Sequence, residues 1–127
     1  MRILVCGGRG YSDWPRVREV LDELAAKHSK FYKDAENWLP VDLTIIHGGA
    51  KGADSLADQW AAVNWTSLRV YEADWETHGR SAGPKRNQLM LEDGKPDLIV
   101  AFPGGRGTAH MVKIARDAGV PVMEVLP

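Results

Sequence analysis

One cysteine in 127 residues leaves no partner for an internal disulfide. A buried core must therefore hold the fold, and the setting this fits is reducing and cytoplasmic. No apolar run reaches the length of a membrane span. The opening Met1-Arg2-Ile3-Leu4-Val5-Cys6-Gly7 is too short for a signal peptide and reads as a first strand. Neither sign of charge dominates, since 16 Lys and Arg against 17 Asp and Glu leave a net charge of −1. That balance argues against a duplex-DNA binder, although it permits a local positive pocket. Both common nucleotide signatures are missing. Without G-x-x-x-x-G-K-[ST] the chain is not read as a P-loop kinase or ATPase. Without a clean G-x-G-x-x-G after the first strand it is not read as an ordinary NAD-dependent dehydrogenase. His47, His78 and His110 match no metal-ligand spacing and are read as polar pocket lining; no metal and no cofactor is expected.

What is present is ordinary for a globular chain: 44% hydrophobic and 26% charged residues, enough for one domain over 1–127 with its own core. Short apolar runs alternate with helical patterns. Ile3 to Cys6, Leu43 to Ile46, Leu68 to Tyr71, Leu98 to Phe102 and Val120 to Leu126 read as strands buried on both faces. Pro121 and Glu124 place the last near a sheet edge. Val17, Val20, Leu21, Leu24, Ala25 and His28 trace one face of a first helix, which Asp13 or a neighbour can cap and whose first turn suits Pro15. Ala53, Leu56, Ala57, Trp60 and Ala61 trace a second, with Trp60 and Ala57 in the core and Trp65 capping that face. Ala82 to Leu91 and Thr108 to Ala118 complete four, the last stopped by Gly119 and Pro121. Ser29 to Asp42 is irregular and reads as a short packed helix or a loop insertion. The alternation predicts an α/β fold: a Rossmann-like three-layer sandwich on a mainly five-stranded parallel sheet.

Three glycine clusters each follow a strand and open a helix: Gly7-Gly8-Arg9-Gly10, Gly48-Gly49-Ala50-Lys51-Gly52 and Gly104-Gly105-Arg106-Gly107-Thr108. In a parallel sheet such turns share the edge where α/β folds bind ligands. Helix N-termini there present unpaired N–H groups and partial positive charge, which suit an anion. Arg9, Lys51, Arg80, Lys85, Arg86 and Arg106 cluster in or near the same loops. Each glycine pair taken alone is as readily a tight turn as a ligand contact; the three together with their cations favour a ligand. The expected binding set is Gly7, Gly8, Arg9, Gly48, Gly49, Lys51, Gly52, Asp54, Arg86, Asn87, Pro103, Gly104, Gly105, Gly107 and Thr108. Most of the phosphate load is expected on Gly48–Gly52, Gly104–Thr108 and Arg86, with Gly7–Gly10 shaping the floor and presenting Arg9. Cys6 reads as a small buried side chain, Trp14 as packing, and Trp75 as either packing or base stacking. Asp54 can equally serve its helix N-terminus.

The blocks Gly7-Gly8-Arg9, His47-Gly48-Gly49-Ala50-Lys51-Gly52-Ala53-Asp54, Ala73-Asp74-Trp75, Gly79 to Met90 and Ala101 to Thr108 resemble the YspA/YpsA-related branch of the SLOG superfamily, small proteins of bacteria and their phages. The resemblance covers nearly the whole chain except Ser29 to Asp42. It implies a Rossmann-like fold and binding of nucleotides or nucleotide-derived molecules. A relative, the LOG-type phosphoribohydrolase, carries Arg-Lys-x-x-Met and then Pro-Gly-Gly-x-Gly-Thr-x-x-Glu. Here Arg86 and Met90 match the first part, with Asn87 in place of lysine. Pro103, Gly104, Gly105, Gly107 and Thr108 match the second, and Met111 stands where the catalytic glutamate would be. A thioether cannot activate water or stabilise an oxocarbenium-like centre as a carboxylate does.

The expected function is therefore binding of a nucleotide or ADP-ribose-like ligand, with Arg9, Lys51 and Arg86 neutralising its charge. The alternative is a nucleotide N-glycosidase, with Arg86, Asp54 and Asp74 as catalytic candidates and Asp54, Asp74 or Asp13 replacing the glutamate. A module for single-stranded nucleic acid or protein ranks last, because no basic stripe with interleaved aromatics is present. Related proteins often pair, so a homo-oligomer is open.

Overall fold

The computed structural model describes residues 1–28, 31–33, 38–40 and 42–127, with backbone alone for 31–33 and 38–40. Five strands form one parallel sheet: β1 (Arg2–Cys6), β4 (Thr44–His47), β5 (Ser67–Val70), β6 (Leu98–Ala101) and β7 (Val122–Glu124), in the order β5-β4-β1-β6-β7. The strand order reverses at β1, so the ends of β1 and β6 flank the switch point where open α/β sheets bind ligands. As expected, β7 is an edge strand.

β1 shows why the layers form. Ile3 and Val5 point to one face and Leu4 and Cys6 to the other, following the period of two. Ile3 and Val5 pack with Val17, Val20, Leu21 and Leu24 of α1 (Trp14–His28) and with Ala53, Ala57 and Trp60 of α2 (Ala53–Val63). Leu4 and Cys6 pack with Met90 of α4 (Ala82–Gly94) and Met111, Val112 and Ala115 of α5 (Arg106–Asp117). Two helices thus cover each face, and the sheet runs between them. Trp60, 1% exposed, fills the first layer while its indole N–H donates to Asp22 Oδ1 at 2.9 Å. Burying a side chain of this kind contributes roughly 1.5–3 kcal/mol.

Local chemistry sets the helix ends. Asp13 caps α1 through Arg16 N–H at 3.1 Å, and Pro15 lies in the first turn, where its missing N–H costs nothing. Trp14 packs against the first core layer.

Five expectations change. β5 is not buried on both faces: it lies at the sheet edge, with Leu68 and Val70 exposed. Phe31–Lys33 (β2) and Trp38–Pro40 (β3) are antiparallel strands, neither a short helix nor a plain insertion. The rest of the stretch expected to be irregular, apart from Asp42, lies outside the described residues. Trp65 does not cap the α2 face: it is 82% exposed with φ 55°, just beyond the helix end. α5 begins at Arg106, two residues before Thr108, because the low helix propensity of Gly107 hid its first turn. A four-residue helix, α3 (Trp75–His78), and a 3₁₀ turn at Gly79–Ser81 precede α4, which extends to Gly94. Segments so short carry no readable periodicity.

Candidate functional site

The three glycine loops meet, and one peptide joins them. Gly8 N–H donates to Pro103 O at 2.9 Å in the β6–α5 loop, while Gly8 O accepts from Ala53 N–H at 3.2 Å at the start of α2. Tyr11 N–H also donates to Gly8 O at 3.2 Å. These bonds need bare backbone. A Cβ on Gly52 would stand 2.1 Å from Gly8 O, and one on Gly104 would stand 2.6 Å from Gly8 N. A Cβ on Gly7 would stand 2.6 Å from Ala53 Cβ. Gly7, Gly8, Gly52 and Gly104 are therefore first of all the packing surface between loops. Gly105 and Gly107 differ, because a Cβ on either would meet nothing within 4 Å.

Between the loops lies a cavity of about 640 Å³, a size usual for small-molecule sites. Cys6 and Met90 contribute its apolar lining, and Gly105 to Thr108 with His110 form one wall. Arg106, Gly107 and Thr108 are the first residues of α5, so their N–H groups have no partner within the helix. The N-cap, Gly105, brings no side chain to them. Four arginines line the cavity, Arg9, Arg80, Arg86 and Arg106, against one carboxylate, Asp54, among the described residues. A neighbouring cavity of about 550 Å³ shares Arg9, Ala50, Trp75 and Arg86 and adds Gly48, Gly49, Lys51, Ala73 and a carboxylate, Glu72. The Arg9 guanidinium lies 5.3 Å from the Trp75 ring centroid at the boundary of the two.

Arg86 and Asn87 tie α4 to both flanking loops. Arg86 Nη1 donates to Gly48 O at 2.5 Å, and its Nε donates to Asn87 Oδ1 at 3.2 Å. A Cβ on Gly48 would strike the same guanidinium, 2.5 Å from Nη1. Burial lowers the Arg86 pKa from its ordinary value; Asp54 opposes this and Arg9 adds to it. Two guanidinium groups that oppose each other's charge form a site that an anion would relieve.

Asp54 is 6% exposed, and its Oδ2 accepts from Gly48 N–H at 3.0 Å and Ala50 N–H at 3.2 Å. Burial raises its pKa, against the pull of those two N–H groups and of His47 and Arg86. It lines the cavity, but its bonds hold the β4–α2 loop in shape. His47, 3% exposed, serves the same loop: Nδ1 accepts from Gly49 N–H at 2.9 Å and Nε2 meets Asp58 Oδ2 at 2.8 Å. Asp74 lines neither of these cavities. It caps α3 by accepting from Thr77 N–H at 3.1 Å, and the Thr77 bonds lower its pKa. Asp13 is occupied at the start of α1. Met111 is wholly buried in the second core layer, so its position faces packing, not the cavity.

Of the expected set, Gly7, Gly8, Arg9, Asp54, Arg86, Asn87, Gly105, Gly107 and Thr108 line the large cavity. Gly48, Gly49 and Lys51 line its neighbour, while Gly52, Pro103 and Gly104 line neither and belong to the packing between loops. Trp75, Arg80, Arg106 and His110 join the cavity without having been in that set. For Arg106 the signal was present in its loop. For Trp75 and Arg80 only the short helical segment before α4 brings them over the cavity. His78 and Lys85 pair with each other at 3.2 Å, and neither lines it.

Comparison with known proteins agrees with this architecture. Residues 1–78 match the model of the family described as YspA, cpYpsA-related SLOG. The Gene 61 protein of Mycobacterium phage D29 is 39% identical over 131 residues, covering 96% of this chain and 94% of that protein. The X-ray structure of TM1055, a structural genomics target, matches with a TM-score of 0.66 at 20% identity, over 95% of this chain and 71% of TM1055. At that identity the likeness is one of fold, and it supports the Rossmann-like architecture. On the family match and the phage relative, this chain belongs to the YspA, cpYpsA-related SLOG family.

Proposed function

We propose that the chain binds a phosphate-bearing, nucleotide-like small molecule, with the phosphate over the N-terminus of α5. The observation that carries this reading is the pairing of the open N–H groups of Arg106, Gly107 and Thr108 with a cavity lined by four arginines. Helix N–H groups and guanidinium forks both suit phosphate oxygens. The neighbouring cavity with Lys51 gives room for a second charged or polar part, as in an ADP-ribose-like molecule. The expectation that the SLOG resemblance carries is of the same kind.

Calorimetric titration of AMP, ADP-ribose and adenosine against the full chain tests this. Phosphate-bearing ligands bind and adenosine binds much more weakly. Arg106→Ala weakens the phosphate-bearing ligands roughly tenfold or more, the order of one charge-assisted bond. No heat from any phosphate-bearing nucleotide at millimolar concentration would refute the proposal.

A further inference from the structure

Asn87 is 5% exposed on α4, and its amide is used on both sides. Oδ1 accepts from Arg86 Nε at 3.2 Å. Nδ2 donates to Gly107 O at 3.1 Å and lies 3.1 Å from His110 Nδ1. The amide cannot be turned over. Reversed, it would set Oδ1 against the carbonyl of Gly107 and Nδ2 against the N–H of Arg86, so that like would face like. Both Nδ2 hydrogens therefore point outward, one to Gly107 O and one to His110 Nδ1. The nitrogen that receives it must be bare. A neutral imidazole carries one ring proton, so that proton sits on Nε2.

His110 lines the large cavity and is half-buried, and its Nε2 has no partner among the described residues. Arg106 and His110 are four residues apart on α5 and share a helix face. The N–H donors of the first turn and the imidazole thus belong to the same end of one helix.

We infer that Asn87 is a positioning residue that locks His110 as the Nε2–H tautomer, and that His110 thereby gives the cavity a neutral side-chain donor beside the α5 N-terminus. This deepens the phosphate reading and rests on it: the matching ligand group is a phosphate ester, whose oxygens only accept. A ligand presenting an amine or amide N–H at that point meets a second donor and is disfavoured. Lysine at position 87, as in the phosphoribohydrolase motif, could not pair in this way with Arg86, Gly107 and His110 together. Asn87 is accordingly a brace in the cavity wall, its amide used by the protein and not offered to the ligand.

Long-range ¹H–¹⁵N NMR of the full chain at about pH 8 reads the tautomer directly. His110→Gln identifies the signal. The expected spectrum shows Nδ1 as the bare nitrogen and Nε2 as the protonated one. The reverse tautomer, or an averaged mixture, overturns the lock. Asn87→Ala averages the two forms, and an unchanged signature there overturns the role of Asn87. If that variant does not fold, the wild-type spectrum decides the lock by itself. Inorganic phosphate and ribose 5-phosphate probe the donor role. His110→Ala weakens both roughly fivefold to tenfold, as expected for one hydrogen bond. His110→Gln, whose amide N–H can replace Nε2–H, stays within about twofold of wild type by the same measure. Equal binding by all three proteins overturns the donor role and leaves the phosphate site standing. No binding of either probe or of AMP to the wild type overturns the phosphate reading and the donor role together, while the tautomer is judged on its own spectrum.

Discussion

Gly52 and Gly107 belong to glycine-rich loops that look alike in the sequence, yet alanine should have opposite effects at the two. Gly52 has φ 79° and ψ −125°, a conformation that a Cβ makes costly. Its added methyl would also stand 2.1 Å from Gly8 O and 2.6 Å from Arg9 C and O. These neighbours are backbone, so neither can swing away. Backbone strain costs about 1–3 kcal/mol, and overpacking about 1–3 kcal/mol more. The lower entropy of the unfolded alanine chain offsets only about 0.4–1 kcal/mol of that loss. Gly52→Ala should therefore lose about 2–5 kcal/mol, a large part of the 5–15 kcal/mol typical of a domain. For a domain of this length each kcal/mol shifts Tm by roughly 3–5 °C, so Tm should fall by roughly 6–25 °C. Gly107 lies in the first turn of α5, lacks a positive φ, and has open space where its Cβ would go. Gly107→Ala should leave stability unchanged or raise it by up to about 1 kcal/mol. Its methyl would nevertheless crowd the mouth of the proposed phosphate site and weaken ligand binding. Urea unfolding followed by far-ultraviolet circular dichroism, with calorimetry for binding, separates the two effects. Wild-type stability in Gly52→Ala, or a greater loss in Gly107→Ala, would refute the reasoning.

Three further outcomes follow from the same structure. Burial, with smaller contributions from Asp54 and Glu124, pushes the Cys6 thiol up to about 12; relative to an ordinary thiol its thiolate population at pH 8 falls by about three orders of magnitude. Iodoacetamide should therefore label it only after unfolding, and rapid native labelling would count against that environment. Asp54 has a raised folded pKa, so its stabilising contribution is complete below the ordinary carboxylate value and is lost as pH rises through the folded pKa. The stability of wild type relative to Asp54→Asn should thus improve as pH falls through that window; a flat or opposite difference in urea titrations would contradict it. Trp65, at φ 55° and 82% exposed, holds a left-handed conformation that glycine adopts freely. Trp65→Gly should raise stability by about 1 kcal/mol, and a clear fall in Tm would show that the indole has a stabilising role in the isolated chain.

Much of the fold was legible because its signals are local. Ile3 to Cys6 and Leu98 to Phe102 are short apolar runs ended by glycine or proline, and they hold the interior strands β1 and β6. The α1 stripe of Val17, Val20, Leu21 and Leu24 is buried as its spacing predicts. Val120 to Leu126 was too long for β7, but its proline and Glu124 correctly put it at an edge. The candidate site was legible only in part. Glycine loops can be counted in a sequence, but which loop's carbonyl lies against which loop's glycine cannot. That is why Gly52 and Gly104 were expected to hold phosphate when they stand against the Gly8 peptide. Asn87 was expected at the ligand for its place in a motif, yet its amide is used by Arg86, Gly107 and His110.

The sequence by itself determined the alternation of strands and helices, the parallel sheet, and the gathering of glycines and arginines at one edge. Each of these follows from residue type and spacing along the chain, which set periodicity, helix ends and turns. Only the tertiary structure decided which glycines are packing and which border a cavity, that Met111 faces the core, and that the Asn87 amide meets Arg86, Gly107 and His110. Those facts depend on distances between residues about 20 to 100 positions apart, such as Asn87 to His110, Arg86 to Gly48 and Gly8 to Pro103. Hydrogen-bond polarity then chooses among arrangements that the order of residues leaves equal.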